Sequence, residues 1–288
     1  MHQREAKGIL SAYNGMNISR GCVHGCIYCD SRSRCYRIEH DFEDVEIKSN
    51  APALLENALK KKRKKCMIGT GAMSDPYIPL PENLANIRAC LEIIDRYGFG
   101  LAIQTKSDLI LRDMDLLVSI NEKAKCIVET TLTTFDENLC RVIEPNVCGT
   151  ERRFEVLKIM RDNGIQTIVW LCPFLPFIND TEENLRGLLD YCVEAEVYGV
   201  LCWGIGMTLR EGSREHFYSK LDEHFPGLKE RYQRTFGFNY MITSGNNDRL
   251  MQLLSDVCDT HRIIHNNEAL FEYMRSFEEK KGSQMELL

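Results

Sequence analysis

Three closely spaced cysteines constrain this chain more than any other feature of its sequence. Cys22, Cys26 and Cys29 follow the pattern C-x₃-C-x₂-C, and Gly21 and Gly25 lie among them, so the loop can turn its sulfurs toward one point. Cysteine thiolates are the usual ligands of [4Fe–4S] clusters. Three ligands for four irons leave one iron open to an exogenous ligand. The spacing therefore predicts a reactive [4Fe–4S] cluster on these three cysteines.

A structural zinc site is the alternative use of the same loop. His24 would complete a set of four ligands with the three cysteines. Zinc motifs usually arrive as two separated pairs of ligands, so the spacing favours the cluster. The other cysteines of the 13 are dispersed along the chain, as buried and inert thiols are.

Length, charge and hydropathy narrow the class of protein. The 288 residues suit a single α/β barrel. No apolar run approaches the ~20 residues that a membrane span needs, and the first residues resemble neither a signal nor a transit peptide. An oxygen-sensitive cluster and 13 cysteines predict a reducing cytoplasm and no membrane partner. The formal charge of −6 argues mildly against a broad electrostatic grip on nucleic acid.

Short apolar runs alternate along the chain with segments of helical apolar spacing. Strands are predicted at 16–19, 66–69, 101–105, 126–131, 166–172 and 199–203, and helices at 53–65, 84–97, 114–122, 153–163 and 182–195. Such alternation indicates an α/β fold with a parallel sheet covered by helices. Six units fall short of a closed eight-stranded barrel, so we expect a partial (β/α)6 open TIM-type barrel.

The predicted barrel has two flanking regions. Residues 1–207 form the predicted core, in which residues 1–14 are a polar arm. Residues 208–288 are mostly helical by pattern and are predicted to pack on that core as a C-terminal extension. The working face of such a barrel lies at the carboxyl ends of its strands.

Small, hydroxyl-bearing or cationic residues follow successive predicted strands: Gly69, Thr70, Ser74, Lys106, Thr131 and Pro173. The inventory suits S-adenosylmethionine (SAM). Lys106 is a natural counter-ion for its carboxylate, hydroxyls can bind the ribose, and Tyr28 can place an aromatic edge near the adenine. The alternatives are an ordinary lysine at the rim and threonines that serve only β-propensity.

The cysteine spacing, with an aromatic residue directly before the last cysteine, resembles the cluster loop of the radical SAM enzymes. Further stretches resemble the subgroup that contains spore photoproduct lyase and the relatives often labelled DNA-repair photolyases: 69–77, 105–113, 131–134, Glu144-Pro145 and Pro173. The resemblance runs from about residue 17 to residue 206. It implies the partial barrel, and it implies that Ser74, Lys106 and Thr131 contact SAM.

The same resemblance implies an activity. In the family, a reduced cluster supplied by a reductant such as flavodoxin or ferredoxin cleaves SAM, and the resulting 5′-deoxyadenosyl radical abstracts hydrogen from a substrate. Here the substrate is left open between nucleic acid, a peptide and a small molecule. No catalytic residue is assigned. Trp170 and Trp203 are interpreted as packing residues within strands.

The sequence departs from the lyase at two positions. Ala72 stands where spore photoproduct lyase has the cysteine that returns hydrogen to the product, and Asp30 stands where it has a tyrosine. We therefore expect radical generation without thymine-dimer reversal. Cys172 and Cys202 are replacement donors or, more simply, buried thiols. The alternative functions are a related nucleic-acid repair lyase and an iron–sulfur electron carrier or regulator that never cleaves SAM.

Overall fold

The computed structural model describes residues 1–280. The strands are β1 (His2–Arg4), β2 (Gly15–Met16), β3 (Ser19–Arg20), β4 (Glu46–Lys48), β5 (Met67–Thr70), β6 (Gly100–Gln104), β7 (Cys126–Thr131), β8 (Gln166–Trp170), β9 (Gly199–Leu201), β10 (Gly206–Thr208) and β11 (Met241–Thr243). The helices are α1 (Ala51–Lys61), α2 (Pro81–Tyr97), α3 (Met114–Lys123), α4 (Glu137–Ile143), α5 (Thr150–Asp162), α6 (Glu182–Glu194), α7 (Ser213–His224), α8 (Leu228–Phe236), α9 (Asn247–His261) and α10 (Asn267–Arg275).

The central sheet has six strands in the order β2-β5-β6-β7-β8-β9. Every neighbouring pair in it is parallel. Helices connect successive strands from β5 to β9, as parallel strands require. The prediction of an α/β fold of the partial (β/α)6 barrel type is thus confirmed. A three-stranded sheet, β1-β4-β3, and the antiparallel pair β10-β11 lie outside the central sheet.

The structure corrects several predicted elements. The strand predicted at 16–19 is two short strands in different sheets, because β2 pairs with β5 while β3 pairs with β4. The polar arm contains β1, which pairs with β4. The helix predicted to run to residue 65 ends at Lys61. Helix α4 and the β10-β11 pair were not predicted.

The two faces of the central sheet bury different partners. One face, here called the outer face, packs its aliphatic side chains on the connecting helices; it includes Ile68, Leu101, Ile103, Val128 and Val169. The opposite face, here called the inner face, carries Met67, Ala102, Ile127, Ile168 and Leu201. These residues alternate with the outer set, as the period of two in a strand requires. Helix α10 packs Leu270 and Met274 against them.

The residues after β9 are largely helical, as the sequence predicts, in α7 to α10. Strand β10 spans the predicted boundary between residues 207 and 208, and the division into two regions stays a prediction. Residues 281–288 of the predicted C-terminal region lie outside the described residues. Among residues 1–280, no helix has the length and apolar character needed to cross a membrane.

Candidate active site

The cysteine loop lies between β3 and β4, and glycines allow the tight backbone paths of this loop and of the loop after β5. Gly21 has φ +84°, and a Cβ there would lie 2.4 Å from the carbonyl oxygen of Phe42. Gly71, in the loop after β5, has φ +104° and would place a Cβ 1.9 Å from the carbonyl oxygen of Gln104. Only glycine fits such a backbone at such a distance. Bare backbone therefore lets the cysteine loop fold against its own Phe42 and lets the loop after β5 pack against the end of β6.

All three loop cysteines carry free thiols. Burial, with the Asp75 carboxylate adding to it, raises the pKa of the Cys22 thiol well above its ordinary value. Burial also raises the pKa of Cys26 to about 12, although the Lys106 cation opposes this. The backbone amide of His24 donates to Cys22 Sγ at 3.4 Å. Because ligation needs thiolates, loading this loop with metal must release protons.

The thiols are not arranged for a single metal ion. Two sulfurs on one tetrahedral zinc lie about 4 Å apart, since each Zn–S bond is about 2.3 Å. Among residues 1–280, the one set of His, Cys, Asp or Glu ligand atoms lying within 4.8 Å of one another is His2, His40 and Glu46. The three cysteine sulfurs do not all lie within that distance of one another. His24 instead faces Asp75, with Nδ1 3.5 Å from Oδ2.

Asp75 joins the loops that follow β5 and β6. Its Oδ1 accepts hydrogen bonds from the Thr105 hydroxyl at 2.6 Å and from the Tyr77 amide at 2.8 Å. Its Oδ2 accepts from the Lys106 amide at 2.9 Å. The neighbouring Ser74 hydroxyl donates to the carbonyl oxygen of Gly21 at 2.7 Å. One Ser-Asp pair thus fixes two rim loops and the start of the cysteine loop.

A buried ion pair lies beneath the cysteine loop. Arg153 and Glu144 are each 1% exposed, and their Nη2 and Oε2 atoms are 2.5 Å apart. Tyr28 donates its hydroxyl to the other oxygen of Glu144. Arg153 also donates to the carbonyl oxygens of Thr131 at 3.0 Å and Cys148 at 2.8 Å. The pair therefore ties the cysteine loop to the carboxyl end of β7.

Lys106 is held in place two residues beyond β6. Its carbonyl oxygen accepts from Cys148 Sγ at 3.0 Å, and its Nζ lies 5.8 Å from the centroid of the Tyr28 ring. Burial works to lower the pKa of Lys106, but the charges of Cys26 and Glu144 outweigh it and raise that pKa. The site thus contains a persistent cation beside the cysteine loop.

The remaining predicted residues lie at the same edge of the sheet. Gly69 and Thr70 end β5, and Thr131, 3% exposed, ends β7. No atom lies within 4 Å of the position of a Cβ on Gly69, so there is room for a ligand there. Pro173 follows β8, but no hydrogen bond or ion pair found in residues 1–280 connects it to the others.

Sequence reasoning missed the residues that support the site. Arg153 was interpreted only as the start of a helix, and Asp75 and Glu144 were given no role of their own. Nothing in the sequence separates Arg153 from Arg152 beside it, whose side chain is 42% exposed. Trp203 is a correction: β9 ends at Leu201, and this side chain is 53% exposed, so it is not packed within a strand.

The family model of the radical SAM superfamily matches residues 16–191 of this chain. That stretch is more than half of the 288 residues, so the chain belongs to the radical SAM superfamily. Enzymes of this family use a [4Fe–4S] cluster and SAM. The free thiols, the cation and the open space at the barrel edge fit these two groups.

Two similar proteins are uncharacterized. One, from Methanocaldococcus jannaschii, is 35% identical over 164 residues, which are 56% of this chain and 60% of that protein. The other, from Mycobacterium tuberculosis, is 28% identical over 256 residues, which are 86% of this chain and 74% of that protein. The match to the first relative thus spans less than two thirds of its length.

Two solved structures share the fold. Spore photoproduct lyase complexed with dinucleoside spore photoproduct superposes with a TM-score of 0.59 at 13% identity, covering 85% of this chain and 71% of that one. Streptococcus suis SuiB bound to the precursor peptide SuiA gives 0.53 at 15% identity, covering 88% of this chain and 47% of that one. At such identities the likeness shows the architecture alone.

Proposed function

We propose that Cys22, Cys26 and Cys29 hold a [4Fe–4S] cluster with which the protein cleaves SAM and starts radical chemistry on a substrate. The observation that carries this proposal is the loop itself. Its three free thiols lie at the edge of the parallel barrel, beside the half-buried Lys106 cation, in a C-x₃-C-x₂-C spacing. When bound, the reduced cluster supplies the electron that releases methionine and a 5′-deoxyadenosyl radical from SAM.

Lys106 binds the carboxylate of SAM in this proposal. Its backbone is held by hydrogen bonds at both the amide and the carbonyl oxygen, so the side chain starts from a fixed position at the rim. The network beneath it keeps that charge in place, because Glu144 and Arg153 balance each other without neutralising Lys106. The cation therefore orients the amino-acid end of SAM toward the loop.

Thr131 offers its hydroxyl to the ribose, and Gly69, on the same inner face, leaves room beside it, while Thr70 ends β5 on the opposite face and contributes through its backbone. Tyr28 contributes its ring near the adenine, with its hydroxyl already held by Glu144. Ser74 acts mainly on the loop, since its hydroxyl binds the Gly21 carbonyl. Pro173 closes the rim after β8. Together these residues hold SAM and exclude water from the reacting centre.

We place the protein near the subgroup of spore photoproduct lyase without assigning it that reaction. Ala72 is exposed and carries no thiol, so it cannot return hydrogen to a product radical. Cys172 is half-buried, and burial raises the pKa of its thiol to about 12. We propose further that a flavodoxin or ferredoxin of the reducing cytoplasm delivers the electron.

The test is anaerobic reconstitution with iron and sulfide, followed by SAM and a strong reductant. We expect about four irons per chain, cluster absorbance and EPR, and 5′-deoxyadenosine by mass spectrometry. The Cys26→Ala variant should lose all of these. The matched control is Cys66→Ala, which removes a half-buried thiol outside the loop and should keep them.

Two results would contradict the proposal. One is stoichiometric zinc with no iron–sulfur cluster after anaerobic purification. The other is a fully loaded cluster that binds SAM but yields no 5′-deoxyadenosine even after long incubation with reductant, which would favour an electron carrier.

A further inference from the structure

The inner face of the sheet changes character between its two ends. At the amino ends of the strands, Ala102 and Ile127 pack on α10. Two residues further along, on the same face, stand Gln104 and Glu129, which are direct neighbours in the parallel register. Trp170 follows Ile168 on the same face in the adjacent strand. A polar and aromatic group thus sits between the α10 contact and the rim.

Glu129 is nearly buried but has no cationic partner. It is 6% exposed, and its Oε2 accepts a hydrogen bond from Trp170 Nε1 at 2.7 Å. Among residues 1–280, no donor reaches its other oxygen and no hydrogen bond is made by the Gln104 side-chain amide. That second oxygen is not among the fully buried atoms that lack a hydrogen-bond partner, so it is open to water or to a ligand. Burial raises its pKa to about 7, against the effect of the Trp170 hydrogen bond.

An exposed aromatic surface adjoins this carboxyl. The Trp203 ring lies 5.2 Å from that of Trp170 and 5.8 Å from that of Phe271, and its side chain is 53% exposed. Phe271 also lines a surface cavity of about 620 Å³ on α10. A contiguous exposed aromatic patch, unlike a single exposed apolar residue, marks a ligand-binding or interaction site. An aromatic platform beside a hydrogen-bonding edge is instead typical of sites that bind flat rings.

We propose that Gln104, Glu129, Trp170 and Trp203 form the substrate site, and that it binds a planar heteroaromatic ring with a ring N–H beside a carbonyl, carried by a free nucleoside. The ring stacks on Trp203. Its N–H donates to the free oxygen of Glu129, and its carbonyl accepts from the Gln104 amide. Adjacent donor and acceptor side chains match such an edge, and stacking with edge hydrogen bonds is how proteins hold single bases.

Two observations favour a small molecule over a nucleic-acid chain. The formal charge of the protein is −6, and the cavity next to Trp203 is lined by Glu268 and Glu272 as well as Arg275. A polyanion gains little from such a surface.

The site also lies close to the proposed SAM position, because Trp170 pairs with Thr131 in the sheet. This proposal adds a substrate class to the proposed function. Nucleoside binding does not depend on the radical chemistry, but conversion of the nucleoside rests on it.

Binding is measured without turnover, so its failure can be told from failure of the radical chemistry. The cluster-loaded protein with SAM and no reductant is titrated calorimetrically with uridine and with 3-methyluridine, whose ring N–H is blocked. The two tryptophans of the sequence are both in the site, so quenching of intrinsic fluorescence reports the same event. Cluster absorbance and SAM binding are recorded for every variant.

We expect uridine to bind and 3-methyluridine to bind about tenfold or more weakly. Trp203→Ala and Glu129→Gln should each weaken uridine binding about tenfold or more, while Trp203→Phe keeps most of it. In Glu129→Gln, the amide oxygen can still accept the hydrogen bond from Trp170, but the NH2 group replaces the oxygen that would accept from the ligand. Weaker uridine binding by this variant therefore reports the contact with the ligand. Phe238→Ala, which removes another exposed aromatic, is the matched control and should bind normally.

The proposal is overturned if neither nucleoside quenches fluorescence or releases heat while SAM still binds. It is equally overturned if uridine and 3-methyluridine bind alike, if only an oligonucleotide binds, or if N-acetyl-tryptophanamide binds and uridine does not.

Discussion

The outer and inner faces of the central sheet differ in the side chains that they bury. Along β6, Leu101 and Ile103 of the outer face are fully buried among aliphatic neighbours. Ala102 and Gln104 alternate with them on the inner face, which becomes polar toward the rim. Both faces belong to the same backbone hydrogen-bonded ladder. Neighbouring residues of one strand therefore have different roles: one packs on the helices, and the next lines the inner face.

This contrast shows how the fold divides stability from chemistry. The outer face stabilises the fold by removing apolar area from water. This stabilisation depends little on which apolar side chain is buried. The inner face keeps buried charges and hydrogen-bonding groups that reduce stability unless each is satisfied. The outer face should therefore govern folding, and the inner face should govern what the barrel binds.

The largest expected effect tests the buried ion pair that crosses from the helix layer to the rim. Arg153→Ala leaves Glu144 buried without its partner, and we expect a loss of about 3–5 kcal/mol in the free energy of unfolding. Arg152→Ala, at the neighbouring exposed residue, should cost about 0–1 kcal/mol. Urea denaturation of both variants measures the difference. Equal losses would remove Arg153 from its supporting role.

A pair of adjacent residues tests the comparison itself. Ile103→Ala should lower the free energy of unfolding by about 2–5 kcal/mol, because it opens a cavity in the outer face. Gln104→Ala, one residue along, should change it by less than about 1 kcal/mol, because its amide makes no hydrogen bond within residues 1–280. Calorimetric unfolding of the two variants checks this. A Gln104→Ala loss as large as that of Ile103→Ala would show that both faces serve packing.

The next effect depends on pH. Burial raises the pKa of Glu129 from 4.5 to about 7. Between these values the native state binds more protons than the unfolded state, so stability falls as pH rises. By pH 8 the loss should reach about 3 kcal/mol, and Glu129→Gln, which cannot ionise, should escape it. Urea midpoints from pH 4.5 to 8 would show the two proteins diverging in favour of the variant.

The exposed Glu122→Gln variant is the control for that series. Its stability should follow the wild-type pH curve. If Glu129→Gln also follows the wild-type curve, Glu129 is better solvated than its burial indicates.

The smallest effect concerns neither face. Asp136 caps α4, accepting hydrogen bonds from the amides of Asn138 at 2.7 Å and Leu139 at 3.3 Å. Asp136→Ala should cost about 1 kcal/mol in the free energy of unfolding. Asp190→Ala, at an exposed position in α6, should be neutral or slightly stabilising. Thermal unfolding distinguishes the two, and a neutral Asp136→Ala would show that the rest of the rim holds α4.

The sequence predicted the alternation of strands and helices in the barrel well. Strand β7 was predicted with its observed bounds, and β5, β6, β8 and β9 within two residues at each end. Short apolar runs carry that signal because they recur between helical segments in every unit. The two-residue strands β2 and β3 were merged, since a strand of that length has no periodicity to detect.

The inner face and its supports could not be predicted in the same way. The pattern Cys126–Thr131 marks a buried strand whichever way Glu129 points, so its polar neighbourhood depends on register with Gln104. Arg153 and Glu144 meet only through tertiary contact. Trp203 is an apolar residue at the end of an apolar segment of the sequence. Its side chain is exposed because β9 ends two residues earlier, at Leu201. The assigned roles of the rim residues stay predictions until ligand binding is measured.

The packing of α10 on the inner face has a consequence for folding during synthesis. The cysteine loop and every strand of the barrel leave the ribosome before Asn267, where α10 begins. Until then Met67, Ile127 and Ile168 have no helix to cover them. The barrel therefore exposes the apolar part of its inner face until α10 has been synthesised and has packed on it.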